Sequence, residues 1–198
     1  MAAEYNASAT KYLFWYLETK ETAKLLSGYS EEEIRSIVID DNLYQQKDKA
    51  RRINEYGCIK SRLDAIPEDL RKMIVTSDIE TSKLIVFISC MASDKLLFDF
   101  MYEVYRNKIF YGEKNLTDAD FNIFFKDKSE QNDKVATISD ASRAKLKQVY
   151  SKFMFEAGLI TGKITEKTIR KAYIDPDVKY ILQSKGMDRY LVAVTGER

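Results

Sequence analysis

The chain has 198 residues, 45% of them hydrophobic and 32% charged, with two prolines and seven glycines, which excludes a disordered chain and favours long helices over a loop-rich β fold. A net charge of +1 leaves no global attraction for nucleic acid, so any basic surface has to be local. The absence of histidine removes the commonest general base, the Ser-His and Cys-His pairings and most zinc sites.

Residues 8–27 read as a helix that stops at Gly28, and the aromatic cluster YLFWY (12–16) is expected to serve as core or partner surface rather than to stack bases. Ser30 and Glu33 form a capping box at the start of SEEEIRSIVIDDN, with Ile34, Ile37 and Val38 buried. After a short turn a second helix carries Ile53, Tyr56, Ile59, Leu63 and Ile66 inward and ends at Pro67. The two helices have helix-turn-helix proportions. Their charge is segregated: residues 18–41 sum to −4 and residues 44–62 to +4, so a near-neutral total hides a dipolar surface.

PEDLRKMIV (67–75) is a short helix, and TSD (76–78) reads as a hinge between an N-terminal lobe, 1–77, and a C-terminal lobe, 78–198. Residues 79–111 form a long helix broken near Ser93-Asp94. Its apolar run LIVFISCMA (84–92) is too short to span a bilayer, so no membrane contact is expected. MAAEYNASATK lacks the charged and apolar regions of a signal peptide. Cys58 and Cys90 fall in helices and read as buried thiols, which suits a reducing cytoplasm. Thr117 and Asp120 open the next helix, and a polar loop, EQNDKVATI (130–138), follows.

SDASRAKLKQVYSKFMFEAGLI (139–160) is the most informative segment. Ser139 is an N-cap, Gly158 a left-handed stop, and Leu146, Val149, Tyr150, Phe153, Ala157 and Ile160 recur at helical spacing. Lys145, Gln148, Ser151 and Lys152 fall off that stripe, and Arg143 and Lys147 lie near its edges. A buried helix with a cationic front is what a recognition helix needs, although a solvated basic face on a core helix gives the same pattern. Ile160–Thr165 and Tyr190–Val194 are β-rich enough to pair as a small ribbon, a wing behind that helix. The expected fold is mainly α: two small helical lobes with helix-turn-helix-like units and at most a minor C-terminal β ribbon.

Catalytic signals are weak. GLITGK (158–163) is one residue short of a P-loop, and Ile164 stands where Ser or Thr must hold magnesium. The S-x-x-K matches at 8–11 and 142–145 lack their companion motifs. DAD (118–120) and DPD (175–177) each precede a helix and read as caps. The chain is therefore expected to be no enzyme and to use no metal or cofactor.

Two blocks carry a family resemblance. Residues 27–63, with Asp41-Asn42-Leu43 followed by ARR (50–52), and residues 139–160, with SRAKLKQV followed by EAGLI, resemble the BrxA family of BREX bacteriophage-exclusion systems. DKLLFDFMYEVYRNKI (94–109) is similar as well, and the resemblance extends over about residues 22–190. It implies a mostly helical cytoplasmic phage-resistance protein without assigned catalysis, acting beside a DNA methyltransferase, an ATPase and a phosphatase-like component and binding double-stranded DNA. The DNA-binding residues expected on that basis are Arg51, Arg52 and Arg62 in the first block, and Ser139, Ser142, Arg143, Lys145 and Lys147 in the second; Lys60, in the same basic run as the first three, is expected to join them. A protein-interaction scaffold and an RNA-binding, antitermination-like helical protein are the alternatives.

Overall fold

The computed structural model describes residues 4–163 and 166–197. Its first departure from the expected helix pattern comes at once. A single 3-10 turn, Ser8–Lys11, is followed by extended chain, and α1 runs only over Tyr16–Leu25. Trp15, with φ 52°, takes the left-handed conformation that breaks the helix. The break lets Phe14, 3% exposed, reach Phe153 with ring centroids 5.7 Å apart. Tertiary burial here overrides local helix propensity.

α2, Glu31–Ile39, begins with the expected capping box: the Glu33 amide donates to Ser30 Oγ at 3.3 Å and the Ser30 amide to Glu33 Oε2 at 2.8 Å. α3, Lys49–Asp64, is capped by Asp48, which accepts from the Arg51 amide at 2.8 Å. It buries Tyr56, Ile59 and Leu63, while Ile53, expected inward, is 38% exposed. α4, Glu68–Thr76, follows Pro67, and α5, Ile79–Ser93, is buried almost all round. α4 and α5 pack directly on each other across residues 77 and 78, and one hydrophobic cluster takes residues from both sides.

The expected break falls at Asp94, whose carboxylate accepts from the amides of Leu96 and Leu97 and starts α6, Lys95–Phe100. A wide π-type stretch, Met101–Tyr105, joins α6 to α7, Arg106–Phe110. β1, Asn115–Leu116, leads to α8, Asp118–Gln131, which opens on a Thr117/Asp120 capping box. The expected polar loop is largely helical: α8 runs into it, and Asn132 caps a one-turn helix α9, Asp133–Ala136. α10 is Asp140–Glu156, capped by Ser139 and followed by the left-handed Gly158.

β2, Ile160–Lys163, pairs antiparallel with β3, Glu166–Ile169, and β1 adds to the other edge of β3. Ile164 and Thr165, the end of the expected first ribbon strand, lie outside the described residues. Gly162, with φ +92°, is required in β2: a Cβ there would sit 2.4 Å from the Glu166 carbonyl oxygen. Tyr105 anchors the hairpin. Its hydroxyl lies 2.8 Å from the Leu159 carbonyl and 2.9 Å from the Arg170 carbonyl, so one buried side chain ties both ends of the β2–β3 ribbon.

Tyr190–Val194 is not the second ribbon strand. It lies within α12, Asp188–Thr195, after α11, Pro176–Ser184. Tyr190, Leu191 and Val194 are buried at helical spacing against the π-type stretch, and this packing decides against their strand propensity. Asp175 accepts from the Asp177 and Val178 amides, the capping role read from DPD. Cys58 and Cys90 are free and buried, and burial pushes the Cys90 thiol up to about 11. No helix among the described residues is long and apolar enough to cross a membrane.

Candidate nucleic-acid interface

α10 presents two faces. Leu146, Val149, Tyr150 and Phe153 are buried, and the Ser139 cap sets the phase that turns the opposite side outward. On that side Lys145, Gln148, Lys152 and Phe155, spaced three, four and three residues apart, form one exposed stripe. The stripe is one wall of a cleft of about 1770 Å³. The other walls come from the first turns of α3, the chain just before α1, and the β2–β3 hairpin.

The cleft gathers cations from all four segments. Lys145, Lys147 and Lys152 come from α10, Lys163 and Lys167 from the hairpin, Arg51 from α3, and Lys11 from the strap before α1. Among the described residues lining the cleft, Asp48, Glu55 and Asp118 oppose these seven. Asp118 is clamped by Lys147 at 2.8 Å and by the buried Lys167 at 2.9 Å, and these two hydrogen bonds hold its carboxyl below the usual range. That clamp fixes the hairpin against α8 and α10 and neutralises part of the positive charge. Among the described residues, Lys11, Arg51, Lys145, Lys152 and Lys163 have no ion-pair partner.

The structure brings together only some of the residues expected to bind DNA. Arg51, Lys145 and Lys147 share the cleft. Arg62 is not at the surface: it is 3% exposed, and its guanidinium donates to the carbonyls of Leu13 at 3.0 Å and Phe14 at 3.2 Å. It also lies 5.6 Å from the Trp15 ring and 5.2 Å from the Phe153 ring. Residue type and helix membership could not separate this structural arginine from its exposed neighbours. Lys60 is held by Asp64 at 2.6 Å, and Arg52 is half-buried; neither lines the cleft. Ser139 and Ser142 are spent on the cap, with their hydroxyls 3.0 Å apart. Arg143 donates to the carbonyls of Val135 and Ala136 at the end of α9, closing the turn before α10.

Sequence reading missed Lys11, Lys152, Lys163 and Lys167 as members of the site. Lys152 had a legible signal, seven residues beyond Lys145 on one helix face; Lys11 had none, because only the chain fold brings it near α10.

Glu55 is an acidic residue within the basic run of α3. It is 1% exposed, and neither carboxylate oxygen has a hydrogen-bond partner. Burial first, and then the nearby Glu18 charge, push its carboxyl up to about 7, with Arg51 acting in the opposite direction. A raised carboxyl makes the fold bind a proton that the unfolded chain has released. Stability should therefore fall as pH rises from about 4.5 to about 7 and level off above. Glu55→Gln, which keeps the shape and cannot ionise, should match the parent near pH 4.5 and exceed its stability by on the order of 2–3 kcal/mol at pH 8. Urea denaturation across that range measures the difference, and a constant offset would show that Glu55 does not titrate with folding.

Comparison with known proteins gives three likenesses. The model of the BrxA family matches residues 3–186. The BREX protein BrxA of Bacillus cereus (strain H3081.97) is 37% identical over 194 residues, which is 98% of this chain and 97% of that one. The crystal structure of an uncharacterized protein from Magnetospirillum magneticum superposes with a TM-score of 0.84 at 18% identity, covering 98% of this chain and 99% of that one, a likeness of fold.

Proposed function

Because the chain belongs to the BrxA family, we propose that it is a non-catalytic accessory component of a BREX phage-defence system, and that its cleft binds double-stranded DNA through phosphate contacts. The observation that carries the reading is the set of five cations without ion-pair partners among the described residues, drawn from α10, the hairpin, α3 and the strap, around one cleft. In this reading α8 to α10 act as a helix-turn-helix unit and β2–β3 as its wing, with the Lys145–Gln148–Lys152 stripe facing DNA. Its place is the cytoplasm, beside the methyltransferase, ATPase and phosphatase-like components of the system. Phosphate contacts carry no base information, so duplexes of different sequence should bind alike.

Fluorescence anisotropy with a labelled 30-bp duplex tests the reading. Five neutralised phosphates correspond to a log–log salt slope near −4.5. Lys145→Ala combined with Lys152→Ala should reduce that slope by about two, whereas Lys60→Ala, outside the cleft, should leave it unchanged. If pure folded protein binds no duplex at low salt, the DNA reading fails and the interaction-scaffold alternative replaces it.

A further inference from the structure

The DNA reading leaves Glu55 unexplained, since a carboxylate repels phosphate. Glu55 lines the cleft, and its two buried oxygens have no hydrogen-bond partner, although an unpaired buried carboxylate is costly. An ionised carboxylate only accepts hydrogen bonds, and its two oxygens suit two parallel N–H donors. An arginine from a partner protein offers such a pair, but it would enter a cleft where seven cations face three acids. The occupant that fits both charges has an anionic backbone and a neutral ring with two adjacent donors. Of the four DNA bases, only guanine presents these, as N1–H and the N2 amino group on its pairing edge.

That edge is covered by cytosine in a duplex, so the guanine must be unpaired. The same cleft supplies a surface for an unpaired base. Tyr12 and Trp15 are half-buried in its wall, with ring centroids 6.0 Å apart. Trp15 is held there in a left-handed backbone conformation, a strain that tends to mark functional positions. We propose that the cleft captures an unpaired guanine of a DNA strand, with Glu55 accepting from N1–H and the N2 amino group and with Tyr12 or Trp15 stacking on the base. The Glu55 oxygens are closed to water, so the base reaches them when a side chain of the cleft wall turns; Arg51 and Leu13 are exposed members of that wall.

The inference rests on DNA occupying the cleft, and the test separates the two. Labelled oligo-dT strands carrying one central dG, dI, dA or dT are titrated against the full chain at pH 8. The dG strand should bind roughly tenfold more tightly than the dT strand. The dI strand, lacking the N2 amino group, should fall back to roughly threefold, and dA should match dT. Glu55→Leu should abolish the dG preference, so that the dG and dT strands bind that variant with equal affinity. Equal binding of all four strands, with normal duplex binding, overturns the guanine pocket alone. A dA preference overturns it too, since it would mean a protonated Glu55 pairing with N1 and N6 of adenine. No binding of strand or duplex removes both this inference and the DNA reading beneath it. The wild-type base series needs no variant, so misfolding of Glu55→Leu would not shelter the proposal.

Discussion

Arg62→Ala should lower the melting temperature by roughly 8–16 °C, the shift for a loss of about 4 kcal/mol in a chain of this size. Three costs combine. The carbonyls of Leu13 and Phe14 lose their donor at 3.0 and 3.2 Å. The rings of Tyr12, Trp15 and Phe153 lose a cation that lies 5.2 to 5.9 Å from their centroids, and a void remains between them. The buried Asp94, whose carboxyl burial pushes up and Arg62 pulls down, loses a counter-charge. Arg62→Lys keeps the charge without the fork and should fall between the two. Trp15 is the sole tryptophan, so its fluorescence reports the site directly: in Arg62→Ala its emission should shift red as the strap loosens. A melting temperature within 2 °C of the parent would show that Arg62 does not hold the strap.

Replacing Arg51, Lys145, Lys152 and Lys163 together by alanine should weaken duplex binding about a thousandfold at 0.15 M salt and flatten the salt slope by about 3.6. All four side chains are exposed and none has an ion-pair partner among the described residues, so thermal stability should stay close to the parent's. The matching control removes four cations outside the cleft, Lys24, Lys72, Lys134 and Lys185, with the same change in net charge. If control and cleft variants weaken binding equally, attraction is spread over the surface and the cleft has no special part in it.

Much of the fold was legible because local chemistry decides it. The Ser30/Glu33 and Thr117/Asp120 boxes, the Ser139 cap and the break at Asp94 are short-range hydrogen-bond patterns, and each stands where the residues indicate. Errors came where distant packing overrode propensity. Residues 12–15 leave the helical path to bury Phe14 beneath Phe153, and Tyr190–Val194 is helical because α12 packs on the π-type stretch. The candidate site was legible in one wall only. Helical phase put Lys145 and Lys152 on one side of α10, but no pattern in a single helix distinguishes Arg51, which faces the cleft, from Arg62, which packs inside. Arg143 shows the same limit: its place in the helix front suggested a DNA contact, and its guanidinium instead closes the turn from α9.

The strap before α1 also fixes an order of events during biosynthesis. Tyr5 donates to Asp99, Arg62 fastens Leu13 and Phe14, and Phe14 rests on Phe153. The strap therefore finds its last partner only after α10 has been made, on the order of 10–30 s later at ordinary elongation rates. During that interval Phe14 lacks the Phe153 ring it packs on, and the run YLFWY is incompletely covered and open to chaperones. One wall of the cleft is missing for as long, so a nascent chain cannot engage nucleic acid there before α10 has been translated.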